Sequence, residues 1–259
     1  RHRAIVYRGS SASETDWGMQ RIGARYLHAS ALGAGIRIAL LDSAAPDAHP
    51  DLPERIALAR DFTGREPAAG LHGTALAGIL AAAEDNEIGG SGVAPKAKLL
   101  SLAACRDEPG GGAARCWSSS LVRALDAAVA EKARIAVLGW SGPEDALVAR
   151  ALELAAKRGI LLVAAVGDAG DERSPAFPAS HPAVLGVTAV DREARVFGPA
   201  ARGSTVDLAA PGVDVVAATP ASAETHSLSG GALAAAHVAG AAALLLELAP
   251  RVTSDKLRE

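Results

Sequence analysis

Asp42 closes the apolar run Ile36-Arg-Ile-Ala-Leu-Leu41 and so puts a carboxylate at the carboxyl edge of what reads as a central parallel strand. Catalytic groups collect at that edge of an open α/β sheet. An aspartate there, taken alone, is more commonly a turn or cap residue. Glu84, Asp85 and Glu87 on one loop would keep an exposed helix end soluble with no metal at all. Cys105 and Cys116 flank the glycines at 110–112. They are too few for a disulfide scaffold and lack the paired spacing or histidine partners of a zinc site. They either bridge each other in an oxidising compartment or stay two buried thiols. The same glycines are no phosphate loop, because no Lys-Ser or Lys-Thr follows at a helix start. Gly33-Ala-Gly35 precedes its strand instead of following it, which excludes a dinucleotide turn.

The elements that must position these groups alternate short apolar runs with amphipathic stretches, the pattern of βαβ units. Strands are expected at 36–41, 98–102, 135–138, 160–165 and 183–187, and helices at 72–83, 119–131, 144–157 and 231–248. The chain of 259 residues is long enough for one large core, and no linker or fixed-period repeat divides it. Residues 1–12 lack periodicity and read as an extended arm or propeptide remnant, leaving 13–259 as the domain. With 49% hydrophobic but only 3% aromatic residues, the core must be built from Ala, Leu, Val and Ile. A net charge of −3 with no basic stripe excludes a nucleic-acid partner. The apolar stretch 230–246 contains His237 and Gly240 and reads as a buried core helix instead of a membrane span.

Gly33-Ala-Gly-Ile-Arg-Ile-Ala-Leu-Leu-Asp42 followed by Ala48-His-Pro-Asp-Leu52, then His72-Gly-Thr-Ala-Leu-Ala-Gly-Ile-Leu-Ala81 and Gly92-Val-Ala-Pro95, resembles the successive motifs of subtilisin-like serine peptidases. Phe177-Pro-Ala179, Ala210-Pro-Gly212 and the segment 229–240 continue the resemblance in order, so that it spans Trp17 to about Leu248. It implies a three-layer α/β/α fold with a mostly parallel twisted sheet. It also implies that Asp42 fixes the tautomer of His72, which in the family takes a proton from serine, while an asparagine helps hold the oxyanion.

Three segments depart from the family's pattern. The serine position carries Ala232 in Gly230-Gly-Ala-Leu-Ala234, the oxyanion asparagine is replaced by Asp168, and the substrate-pairing segment reads Gly139-Trp140-Ser141-Gly142, with an indole where a medium aliphatic is usual. An ionised Asp168 repels an oxyanion, whereas a protonated one donates to it. Trp140 is expected to narrow or fill a subsite. Ser227 and Ser229 are not at the helix start that would align a replacement nucleophile with His72, and His226 and His237 read as a loop and a packed helix histidine.

The resemblance further implies calcium held by the Asp51 carboxylate, the Asn86 side chain and the carbonyls of Glu84, Ile88 and Gly90, with a ligand near Ser13 or Glu14. It implies a secreted or periplasmic location, a polypeptide substrate or protein partner, a possible propeptide, and C-terminal elements beyond Glu259. Because several segments depart together, natural loss of activity is the expectation, that is, a pseudoprotease. The alternative is an active secreted endopeptidase with its serine exchanged for alanine.

Overall fold

A computed structural model of the chain describes residues 17–46, 48–64, 69–84, 86, 88–108, 114–168, 175–220 and 222–259. The expected arm at 1–12 and the residues near Ser13 and Glu14 lie outside them. Two short helices, α1 (Trp17–Arg21) and α2 (Ala24–Leu27), lead into β1 (Arg37–Leu41). There follow β2 (Ile56–Asp61), α3 (Leu71–Ala81), β3 (Lys98–Ala103), β4 (Cys105–Asp107), β5 (Ala114–Cys116), α4 (Ser118–Ala130) and β6 (Ile135–Leu138). The rest comprises α5 (Ala146–Lys157), β7 (Leu161–Ala165), β8 (Val184–Val190), β9 (Leu208–Pro211), β10 (Val215–Thr219), β11 (Ser222–Leu228), α6 (Gly231–Leu248) and α7 (Ser254–Arg258).

Seven strands form one sheet in the order β2-β3-β1-β6-β7-β8-β9, and every pairing in it is parallel. Parallel strands are covered on both faces, so their side chains serve two cores. Ile38 and Leu40 of β1 point into a core with α3 and α6, while Ala39 and Leu41 point into another with α4 and α5. Small residues let α3 and α6 pack closely on the sheet and on each other. Of the described helices, α6 alone is long and apolar enough to cross a membrane by length and composition, but most of it is buried in the fold.

All nine expected elements are present within a few residues. Strands β2, β4, β5, β9, β10 and β11 were not expected. Edge strand β2 is only half-buried, and β11 is largely polar, so neither shows a continuous apolar run. The sheet order reverses around β1: the chain passes from β1 out to the edge strand β2, returns to β3 between the two, then resumes on the other side with β6. A crevice therefore opens at the carboxyl end of β1, where Asp42 stands.

Candidate active site

Asp42 follows the last residue of β1 and is 2% exposed. Its Oδ1 accepts from the backbone N–H of Ser43 at 2.6 Å and from the Ser43 hydroxyl at 3.2 Å, and its Oδ2 faces His72 Nδ1 at 2.8 Å. Two glycines permit this contact. A Cβ on Gly139, just past β6, would stand 1.8 Å from Asp42 Oδ2, and one on Gly73 would stand 2.0 Å from the Ser43 carbonyl oxygen. The first lets the carboxylate lie against the end of β6, and the second lets α3 approach the end of β1. Ser43 Oγ then accepts from Gly73 N at 3.1 Å, tying the helix to the strand exit.

His72 is the second residue of α3, and its side chain is 26% exposed. Burial disfavours the imidazolium, but the Asp42 charge and hydrogen bond, with the Asp107 and Asp168 carboxylates, outweigh it and push the ring up to about 9. With Nδ1–H held by Asp42, Nε2 is the nitrogen left to exchange a proton with a neighbour.

Asp168 lies three residues past β7 and reaches the start of α6. Its Oδ2 accepts from Gly231 N at 2.7 Å, while its Oδ1 is buried with no hydrogen-bond partner among the described residues. Burial raises the carboxyl above its ordinary range, and the Gly231 N–H and the His72 charge only partly oppose this. The carboxylate thus occupies a backbone donor at a helix N-terminus, where an anion is electrostatically favoured. Ala232, the next residue, is 8% exposed and offers only a methyl group. Asp42, His72, Asp168 and the start of α6 are thereby brought together.

Trp140 is turned into the α4–α5 core, 7% exposed, with its ring centroid 5.9 Å from that of Phe177 and its Nε1 without a hydrogen-bond partner among the described residues. Gly139 N donates to the Leu41 carbonyl at 3.3 Å, and Gly142 N donates to the Phe177 carbonyl at 2.8 Å, so Trp140 and Ser141 span the interval between two internal pairings. Ser229 Oγ accepts from Asp214 N at 2.9 Å, and Ser227 sits in β11, so both lie before the helix start. His226 is a strand residue paired with Ala217, which corrects the expected loop placement. His237 is buried in α6, donates from Nδ1 to the Leu233 carbonyl, and is pulled down to about 4 by burial, so it is neutral.

The chain matches the profile of the subtilase family (Peptidase_S8) over residues 33–259. The chain belongs to the subtilase family. It is 34% identical to subtilisin BL of Lederbergia lenta over 95% of this chain and 90% of that protein. It is 34% identical to thermitase of Thermoactinomyces vulgaris over 90% of this chain and 82% of that one. The major intracellular serine protease of Bacillus subtilis is also 34% identical, over 88% of this chain and 73% of its own length. The parallel seven-stranded sheet between helical layers agrees with this subtilase's expected α/β/α fold.

Away from the crevice, Asp51 is 2% exposed and its Oδ1 accepts from Asn86 Nδ2 at 2.9 Å, while Asn86 Oδ1 accepts from Ile88 N at 3.1 Å. Burial pushes the Asp51 carboxyl up to about 6 against the Asn86 hydrogen bond. Gly90 lines a small cavity with Asp51, and the Glu84 side chain turns to His28 Nδ1 at 2.5 Å. Among the described residues no three His, Cys, Asp or Glu side chains cluster as a metal would require. The Asp51 carboxylate and the Asn86 amide oxygen are hard donors, the ligand type calcium takes, although Asn86 here turns its nitrogen to Asp51.

Cys105 and Cys116 are joined in a disulfide across the β4–β5 pair. Sequence reasoning missed Asp107, whose Oδ2 accepts from Leu71 N at 2.8 Å at the start of α3. No local spacing reveals that contact, which joins residues 36 apart.

Proposed function

We propose that the chain is a catalytically inactive subtilase that uses its crevice to bind polypeptide or a protein partner, a propeptide being one candidate. The observation that carries this reading is at the start of α6. Position 232 holds a methyl group, and the adjacent Gly231 N–H is already taken by the Asp168 carboxylate at 2.7 Å. Acyl transfer needs a nucleophile and donors aimed at the developing oxyanion. Both parts are replaced here, which a single exchange of serine for alanine would not produce.

The second reading, an active endopeptidase with its serine exchanged for alanine, draws on the 2.8 Å contact between His72 and Asp42. Hydrolysis of a denatured protein, with labelling by a serine-directed covalent probe, separates the two in the Ala232→Ser form. Under the first reading that form stays unlabelled while folding normally. Under the second it gains turnover by roughly 10⁴-fold or more over the chain with alanine. The gain then rises as pH approaches 9, where His72 gives up its extra proton.

Calcium is proposed at Asp51, Asn86 and the carbonyls of Glu84, Ile88 and Gly90, where it would neutralise a buried carboxylate and fasten the loop to the first motif. Calcium should raise the melting temperature at pH 7.5 more than at pH 5, because Asp51 must ionise to bind it. The Asp51→Asn form should lose this response, and a response unchanged by that substitution would exclude the site. The Cys105–Cys116 bond supports a secreted or periplasmic location. Recovery of the chain in the cytoplasmic fraction with free thiols would overturn that assignment.

A further inference from the structure

We propose that Asp107, carried on the disulfide-closed β4–β5 hairpin, is a positioning residue for His72: it anchors the first turn of α3 and holds a carboxylate toward the imidazole. The Cys105–Cys116 bond keeps it in that place. The proposal goes beyond the function assigned above, because it holds whatever residue occupies position 232.

Helix α3 begins after Gly70, which has no side chain with which to cap it. Asp107 Oδ2 supplies the missing acceptor at 2.8 Å from Leu71 N, the residue before His72. The approach is close enough that a Cβ on Gly70 would stand 2.9 Å from the same oxygen. At its root the hairpin also holds the other member of the pair. Ala104 N and Cys105 N both donate to the Asp42 carbonyl oxygen, at 3.0 and 3.1 Å. One short element therefore grips the strand end that carries Asp42 and the helix that carries His72.

The hairpin needs a fastening to do this. It has three paired positions, Cys105 with Cys116, Arg106 with Arg115 and Asp107 with Ala114, and a two-stranded ribbon that short is marginal in water. Residues two apart share a face of a strand, so buried Cys105 and half-buried Asp107 project to the same side. On the other face, Arg106 donates to Thr63 Oγ1 at 2.6 Å and reaches Asp61 Oδ2 at 3.3 Å, tying the hairpin to the exit of β2. Among the described residues, the charged groups acting on the ring are Asp42 after β1, Asp107 on β4 and Asp168 after β7. Asp107 is thus one of three carboxylates favouring the imidazolium.

The test is an NMR pH titration of the His72 ring in the full chain. Asp107→Asn keeps an acceptor for Leu71 N but removes the charge, and should lower the His72 midpoint by about 0.5 to 1 pH. Cys105→Ser with Cys116→Ser should lower it in the same direction, and adding Asp107→Asn to that pair should lower it little further. Arg115→Ala, which breaks the exposed Glu108 pair on the same hairpin, should leave it in place. If the cysteine variant does not fold, phosphine reduction of the native chain gives the same reading. An unmoved midpoint in Asp107→Asn, or additive effects of the charge and the disulfide, would overturn the proposal.

Discussion

At the scale of single residues, the contact between Asp42 and His72 rests on two positions that lack side chains. The Gly139 Cβ position lies 1.8 Å from Asp42 Oδ2, far inside van der Waals contact, so Gly139→Ala must displace the carboxylate or the end of β6. Forced overpacking of a closed site costs about 1–3 kcal/mol. The expected result is a fall of that size in urea stability, with a downward shift of the His72 titration because its main partner has moved. An unchanged titration would mean that the carboxylate tolerates the methyl group. The residues legible beforehand were those embedded in contiguous motifs: Asp42, His72, Asp168 and Ala232 each sit in a stretch of neighbours that identifies them. Asp107 was not, nor was Ser43's link to Gly73, because these roles arise from contacts between segments tens of residues apart. Trp140 was legible as a departure, but sequence could not show that its indole turns into the core beside Phe177.

At the scale of elements, Glu247 shows how tertiary need overrides helical preference. A carboxylate in the last turn of α6 opposes the helix dipole. Its Oε2, however, accepts from the N–H groups of Leu32, Gly33 and Ala34 at 2.7, 2.6 and 3.0 Å. Three backbone donors in the turn before β1 thus converge on one oxygen from the far end of the longest helix. Hydrogen bonds to a charged group are worth more than neutral ones, and the donors on Leu32 and Gly33 are partly buried, so they cannot all be handed to water without cost. Glu247→Ala is expected to cost about 2–4 kcal/mol in urea unfolding, and Glu247→Gln, which keeps an oxygen acceptor, about half as much. Equal losses in the two variants would show that charge, not hydrogen bonding, holds the turn. The central elements were legible because strands buried on both faces read as unbroken apolar runs and their helices keep a helical period. The β10–β11 pair was not, since the sequence Ser-Ala-Glu-Thr-His-Ser-Leu has no apolar run to mark its second strand.

At the scale of the whole molecule, the charge held on His72 must appear in global stability. The folded ring releases its proton near pH 9, against an ordinary value of 6.5. Below pH 6.5 folded and unfolded chains both carry the proton, and the full stabilisation from the surrounding carboxylates is present. Between 6.5 and 9 only the folded chain retains it, so stability falls as pH rises, and above 9 the contribution is gone. A separation of that size corresponds to about 3 kcal/mol at most, reduced somewhat because the ring is partly open to solvent. Urea unfolding of the native chain should therefore lose about 2–3 kcal/mol across this window relative to His72→Gln, whose profile lacks the term. The direction matters more than the size. A subtilase built to turn over near neutral pH would need His72 to release its proton there, and the slope would then lie well below pH 8. A difference between the two chains that stays constant from pH 6.5 to 9 would mean a ring already neutral throughout the window and would overturn this prediction. A slope in the predicted window would mean a histidine held as a cation among three carboxylates, suited to orienting a bound chain and unable to serve as a base at neutral pH.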